Sequence, residues 1–388
     1  MRIGIDVGGT NTDAVLMDGR EVVTWSKRPT TENVIDGIIA ALRDVLAHPE
    51  VSPRDVDAVM IGTTHFTNAV VQRRGLDRTA VVRLGLPATE SIPPLTDWPD
   101  ELRQSIGGPA LMLHGGHQYD GRVISPLDPE ELRVVARRLG EQTVTSVAIA
   151  AVFSPVTPDH EIAAAELITA ELPGAAITLS HQIGRLGLLE RENAAALNAC
   201  LATIARQTIG AYGRALDQLG LTAALYLSQN DGTLMTADFA ARYPVLTFAS
   251  GPTNSMRGAA MLSGEADAIV LDLGGTTTDG GALVHGFPRE ASFEVQIGGV
   301  RTNFRMPDVA SIGLGGGSIV TEDGDRVGPF SVGFRIADEA LVFGGHTPTA
   351  TDVAVAAGRA AVGDRARVAG LPLDFVERAL REIDDRVA

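Results

Sequence analysis

The chain has 388 residues, enough for two sizeable hydrophobic cores rather than one. Thirty-two Lys and Arg against 48 Asp and Glu leave a formal charge of −16, which argues against a broad basic surface for nucleic acid. One cysteine, Cys200, excludes an internal disulfide framework and a cysteine-based zinc cluster. No apolar leader or bilayer-length run occurs, so a cytoplasmic protein with no membrane attachment is expected.

Strand-like and helix-like stretches alternate along the chain, the pattern of an α/β protein. Arg2 to Val7 and Ala14 to Met17 read as strands joined through a glycine turn. Glu32 to Ala47 is predicted as a helix with Ile38, Leu42 and Val45 on one face and Thr31 as its N-cap. Val56 to Ile61 reads as a strand that meets Gly62-Thr63-Thr64 and then a helix from Phe66 to Arg74. Pro87 to Gly121, rich in proline and glycine, reads as a long surface excursion bordering a cleft. Asp128-Pro129-Glu130-Glu131 starts a helix, Ser146 to Phe153 is a buried strand, and Glu161 to Glu171 is helical. One long helix is predicted from about Leu188 to Leu219, with Cys200 as a packing residue, and Asn230-Asp231-Gly232 marks a tight turn.

An internal repeat carries the functional reading. Asp6-Val7-Gly8-Gly9-Thr10-Asn11-Thr12-Asp13 recurs as Asp272-Leu273-Gly274-Gly275-Thr276-Thr277-Thr278-Asp279, each copy after an apolar strand and before another. Paired glycines let successive N–H groups converge on an anion, and threonine hydroxyls add donors. An Asp ending the first strand is placed to hold a divalent cation, directly or through water. Two such hairpins facing each other would clasp the phosphates of a nucleotide, with magnesium between Asp6 and Asp272. That arrangement binds a phosphate chain without a basic patch. Gly313-Leu314-Gly315-Gly316-Gly317-Ser318 follows the second hairpin, and Gly315, Gly316 and Gly317 form a candidate shelf for an adenosine. The full dinucleotide-binding and Walker-type glycine patterns are absent.

Two phosphate hairpins and a later glycine cluster resemble the ATPase core shared by actin, sugar kinases and Hsp70 chaperones. Within it the chain is similar to the hydantoinase A/5-oxoprolinase family. The resemblance rests on Gly8 to Asp13, Gly62-Thr63-Thr64 with Thr67-Asn68-Ala69, and Glu190-Arg191-Glu192-Asn193 with Leu197-Asn198-Ala199. Ser250-Gly251-Pro252, the second hairpin, Gly315 to Ser318 and Pro348-Thr349-Ala350-Thr351-Asp352 extend it. It implies a two-lobed actin-like, ribonuclease H-like fold, with lobes at 1–185 and 186–388. The second lobe is read as open to truncation, because the chain stops at Ala388 within a helical pattern. The implied activity is ATP- and magnesium-dependent opening of a cyclic amide such as a hydantoin, 5-oxoproline or a related lactam. A B-type subunit and a homo-oligomer are the implied partners. Asp308-Val309-Ala310-Ser311 stands where the family usually carries Asp-Ile-His-Thr, which removes a histidine from that chemistry.

Asp6 and Asp272 are thus the expected magnesium-holding and catalytic acids. Gly8, Gly9, Thr10, Asn11 and Thr12, with Gly274, Gly275, Thr276 and Thr277, are the expected phosphate contacts. Asp13 and Asp279 either join them or pin their own hairpins. Thr64 and His65 sit where a strand gives way to a helix, suited to a polarised oxygen, with His65 either a general acid–base or a loop histidine. His114, His117 and His181 would form a metal site only if the fold gathered them. Glu190, Arg191 and Asn193 either border the cleft or form structural pairs. A small-molecule kinase and a partner-driven reactivating ATPase or carboxylase subunit remain the rival activities.

Overall fold

The computed structural model describes residues 1–8, 11–31, 34–291 and 295–387. β1 (Arg2–Val7) turns Ile3, Ile5 and Val7 to a buried face and Gly4 and Asp6 to the other, as strand alternation requires. It pairs antiparallel with β2 (Asn11–Asp18), which pairs with β3 (Glu21–Pro29). Helix α1 (Val34–Leu46) packs Ile38, Leu42 and Val45 into the core beneath that sheet, and β4 (Ala58–Thr63) returns parallel to β1. Glu32 and Asn33, where the sequence starts this helix, lie outside the described residues.

Helix α2 (His65–Gln72) leads into a second sheet, entirely parallel. Its strands are β5 (Thr79–Leu86), β6 (Gly107–His114), β7 (Ser146–Ala151) and β8 (Ala176–Leu179), in the order β6-β5-β7-β8. Helices α3 (Asp100–Ile106), α4 (Pro129–Glu141) and α5 (Asp159–Glu171) connect them. Asp128 caps α4 by accepting from the N–H groups of Glu130 and Glu131. The expected excursion from Pro87 to Gly121 is therefore corrected. Leu95, Trp98, Leu102 and Ile106 are core residues, and Gly107–His114 is a strand. A Cβ on Gly108 would overlap the backbone of Thr79, so the glycine that reads as loop is what lets the strand dock.

The single long helix is also corrected, to α6 (Leu188–Cys200) and α7 (Ala202–Gln218) with a break at Leu201. From Arg191 to Cys200, α6 is buried at every position, whereas α7 sends Tyr212 and Leu216 into the core under β1 and β4. Cys200 is fully buried, and burial pushes its thiol well above the usual range. β9 (Ala224–Ser228) and β10 (Leu234–Thr236) form the hairpin marked by Asn230-Asp231-Gly232. They extend the first sheet to the order β10-β9-β4-β1-β2-β3. The first hairpin's sheet thus draws strands from beyond residue 185, where the sequence divides the lobes.

After α8 (Ala237–Arg242), helix α9 (Ser250–Ser263) crosses from the first sheet to β11 (Ala268–Leu273) and β12 (Thr278–Val284), the second glycine hairpin. β13 (Phe287–Pro288) extends it, and β14 (Val295–Ile297) with β15 (Val300–Thr302) forms a small separate hairpin. β16 (Val309–Ile312) adds to β12. β17 (Ser318–Val320), β18 (Val327–Ser331), α10 (Ile336–Glu339), α11 (Ala350–Ala356) and α12 (Leu373–Val387) complete the chain. No described helix is long and apolar enough to cross a membrane.

Candidate active site

The two repeat copies fold into the same turn. Gly8 N–H donates to Asn11 O at 2.9 Å, and Gly274 N–H donates to Thr277 O at 2.9 Å. Asp6 stands opposite Asp13 and Asp272 opposite Asp279, each strand-end acid facing its hairpin partner. Gly9 and Thr10 lie outside the described residues. In the second turn the carbonyls of Gly274 and Gly275 accept from Gly316 N–H (3.1 Å) and Gly317 N–H (2.7 Å). Among the described residues no protein acceptor takes the N–H groups of Gly275, Thr276 and Thr277. Carbonyls held behind and amides left free make a concavity suited to an anion.

The glycine cluster is thus packed on the second turn. A Cβ on Gly315 would press on the backbone of Gly274, Gly275 and Thr276, within 2.6–2.7 Å. Gly316 O in turn accepts from Thr351 N–H (2.9 Å) and Thr351 Oγ1 (2.8 Å) at the start of α11. Asp352, buried beside it, accepts from the N–H groups of Val342 (2.7 Å) and Thr349 (2.7 Å). The Pro348–Asp352 motif therefore anchors the glycine cluster, and the cluster positions the turn.

The two halves meet at their aspartates. Asp6 is reached by solvent yet ringed by protein, the setting of a cleft wall. Its carboxyl is raised to about 6, first by burial and then by the negative charges of Asp13 and Asp272, with Lys27 opposing. Lys27 pairs with Asp13 at 3.0 Å. Helix α9 supplies the residues between them. Ser255 Oγ donates to Asp272 Oδ2 at 2.5 Å, and Asn254 Nδ2 and Asp6 Oδ1 both border the space that Gly62 leaves by lacking a Cβ. Ala249, just before α9, has a left-handed backbone (φ 59°), a strained state for a residue with a Cβ. The helix then starts against the end of β4, where Ser250 Oγ donates to Thr63 O at 3.4 Å.

Neither Asn254 nor Ser255 was singled out by the sequence reading. The signal available was a polar run on the helix that immediately precedes the second aspartate's strand. Thr64 and His65 begin α2 beside the first turn, since Thr63 pairs with Val7 and Gly62 with Asp6. Burial lowers the His65 pKa, so its imidazole is neutral at neutral pH. Thr12 is placed otherwise than expected. Strand alternation turns its side chain toward Gly37 of α1, away from the face of Asn11 and Asp13, and its buried hydroxyl has no partner.

The histidines are not gathered. His114 pairs with Glu131 (3.3 Å), His117 packs on the ring of His160, and His181 bonds Glu161 (2.6 Å). No group of three His, Cys, Asp or Glu among the described residues is arranged for a metal ion. Two facing aspartates still fit magnesium, which typically takes one or two carboxylates and completes its shell with phosphate oxygens and water. Glu190-Arg191-Glu192-Asn193 is largely structural. Glu192 forms a buried bidentate pair with Arg83 (2.6 and 2.7 Å), and Arg191 binds Ser180 and the carbonyls of Ala151 and Leu186. Asn193 accepts from Trp98 Nε1 at 2.8 Å. An open groove of about 680 Å³ between Arg20 and Arg257 lies at the other ends of these strands and holds none of the expected site residues.

Residues 2–172 match the hydantoinase/oxoprolinase N-terminal region, and residues 191–386 match the hydantoinase/oxoprolinase family. The acetophenone carboxylase gamma subunit of Aromatoleum aromaticum is 30% identical over 397 residues, covering 92% of this chain and 53% of that one. The caprolactamase subunit alpha of Pseudomonas jessenii is 28% identical, covering 93% and 55%. The crystal structure of the ATP-dependent caprolactamase from that organism has a TM-score of 0.76 at 24% identity over 99% of this chain and 61% of its own. Nucleotide-free acetone carboxylase gives 0.74 at 21% identity over 100% and 61%. These likenesses establish the expected two-lobed fold. The chain spans little more than half the length of the curated relatives.

Proposed function

The chain belongs to the hydantoinase/oxoprolinase family, and from that premise we propose that it binds and cleaves ATP with magnesium to activate a carbonyl oxygen by phosphorylation. The favoured substrate is a cyclic amide, which opens to an amino acid or a carbamoyl derivative. The observation that carries this reading is the meeting of Asp6 and Asp272, one from each repeat, beside a turn with three free amides. Amides of Gly275, Thr276 and Thr277, with that of Asn11 in the other turn, would hold phosphate oxygens, the Gly8 amide being taken by the carbonyl of Asn11. Asp6 and Asp272 would hold magnesium, which supplies charge neutralisation along the phosphate chain.

A lactam carbonyl resists water because resonance strengthens its C–N bond. Its oxygen attacks the γ-phosphorus, the bond to the β-phosphate oxygen breaks, and ADP leaves. Water then adds to the carbon, the C–N bond opens with proton transfer to nitrogen to leave an acyl phosphate, and a second water hydrolyses that to the carboxylate and inorganic phosphate. His65, with its pKa lowered by burial, would accept the proton of the first water, and Thr64 would donate to the substrate oxygen. A partner of the B type would complete the substrate pocket. The carboxylase match supports a second reading in which the same phosphorylation activates an enol for attack on a carboxyl donor.

ATP hydrolysis measured across a panel of hydantoins, 5-oxoproline and larger lactams, with and without a B-type partner, tests both. Ring-opened product in step with ADP release supports the first reading. Bicarbonate-dependent carboxylation of a ketone supports the second. Asp272→Asn is expected to lower turnover by about 100-fold or more with the fold intact by circular dichroism. Full activity in that variant, or the absence of Mg–ATP binding in the native protein, overturns the proposal.

A further inference from the structure

β8 is the outer strand of the second sheet, and among the described residues it pairs with β7 alone. Ala176 N–H donates to Thr145 O at 3.0 Å, so strand alternation puts the N–H and C=O of Ile177 on the open side. An open groove of about 320 Å³ is lined by Ile177 and Thr178 of β8, Asn198 of α6, Arg206 of α7, and Asp238 and Arg242 of α8. Asn198 is 2% exposed, and its amide donates to Thr178 Oγ1 (3.1 Å) and to Arg242 O (2.9 Å). A main-chain carbonyl only accepts, so the atom facing Arg242 is Nδ2, and Oδ1 is the one left buried without a partner. A buried acceptor left unpaired is unfavourable, and it marks a place where a donor arrives from outside the fold. Charge lines the groove as well. Arg206 and Arg242 are exposed, each with a single long side-chain hydrogen bond (3.4 Å), to Thr203 Oγ1 and Gln182 Oε1. Neither has a carboxylate partner among the described residues, and Asp238 is the one acid in the lining.

We propose that this groove binds an acidic α-amino acid, a dicarboxylate with one ammonium group. Two arginines against one aspartate leave a single positive charge in excess, which a ligand of net charge −1 neutralises. Geometry selects the α placement. In an α-amino acid the ammonium and a carboxylate flank one carbon, as N–H and C=O flank the Cα of a strand residue. The ligand therefore pairs with Ile177 as one bridge residue does: Ile177 N–H donates to the carboxylate, and Ile177 C=O accepts from the ammonium. Asp238 and Asn198 Oδ1 are the further acceptors for an ammonium with three N–H bonds, and Arg206 and Arg242 take the second carboxylate. β8 has only four residues, too short an edge to seat an added strand of peptide. The inference concerns binding beside β8 and holds whatever reaction the aspartates of the cleft support.

Calorimetric titration of the 388-residue chain with L-glutamate and L-aspartate tests it, with glutarate, 4-aminobutyrate and L-alanine as controls. One of the two acids is expected to bind saturably, and every control more weakly by about tenfold or more. Glutarate lacks the ammonium, 4-aminobutyrate lacks the α spacing, and L-alanine lacks the second carboxylate. Arg206→Gln and Arg242→Gln, both at exposed positions, are each expected to weaken binding by about tenfold with the far-ultraviolet spectrum unchanged. Hydrogen exchange locates the site, since the bound acid is expected to slow exchange of the Ile177 amide several-fold. No saturable binding of either acid, a control that binds equally well, or native affinity in both arginine variants overturns the proposal. Binding that leaves Ile177 exchange unchanged also overturns it, and places the acid elsewhere on the chain.

Discussion

Asp6 carries a cost that its ligand would remove. Burial and two neighbouring carboxylates raise its pKa to about 6 from an ordinary value near 3.8. Between those values the native state holds more protons than the unfolded chain, so stability falls as pH rises from about 4 to 6. Asp6→Asn removes the burden, and the unliganded variant is expected to melt slightly higher at pH 7, on the order of 1–2 °C, while losing the pH dependence. Differential scanning calorimetry at pH 4.5 and pH 7 checks this, and an unchanged pH profile would contradict it. Arg83 and Glu192 behave oppositely, because they are buried and already paired. Arg83→Ala strands a buried carboxylate and is expected to destabilise by about 3–5 kcal/mol in urea unfolding, with Arg83→Met/Glu192→Leu recovering most of it. At this scale the sequence exposed Asp6 and Asp272 because a repeated acid beside repeated glycines is visible in one dimension. It could not expose Asn254 and Ser255, whose role comes from a helix crossing between sheets.

Single elements explain the misread excursion from Pro87 to Gly121 and the seat of the glycine cluster. Glycine and proline mark loops only when nothing approaches them, and at Gly108 and Gly315 a neighbouring backbone does. Gly107–His114 therefore joins a sheet, and Gly315 to Gly317 back the second turn, facts fixed by partners far away in sequence. Gly315→Ala is expected to displace that turn and weaken Mg–nucleotide binding at least tenfold in calorimetric titration, with the far-ultraviolet spectrum unchanged. Native affinity in that variant would show that the turn does not depend on the cluster. Thr12 makes the complementary point. It belongs to the repeated motif, yet strand alternation turns its hydroxyl to α1, so Thr12→Val is expected to leave nucleotide affinity within about twofold. The same alternation sets the buried faces of β1 and β2, which are short and strictly periodic.

Across the whole molecule, α9 bonds Asp272 through Ser255 and brings Asn254 to the Gly62 space beside Asp6, so occupation of the site should register in both halves. Adding Mg–ATP analogue is expected to slow amide exchange together in the second turn, in the first residues of α9 and at the start of α2; slowing confined to one half would separate the two hairpins. The sequence alone determined the α/β class, the duplicated hairpin, its terminal acids and the family resemblance, because each is written in local order and in a repeat that needs no partner. Only the tertiary structure decided that the first sheet borrows β9 and β10 from beyond residue 185, that the histidines stay apart, and that Asn254 and Ser255 stand between the acids. Those outcomes depend on which distant backbones fill the same space, and packing of that kind leaves no mark on the order of residues.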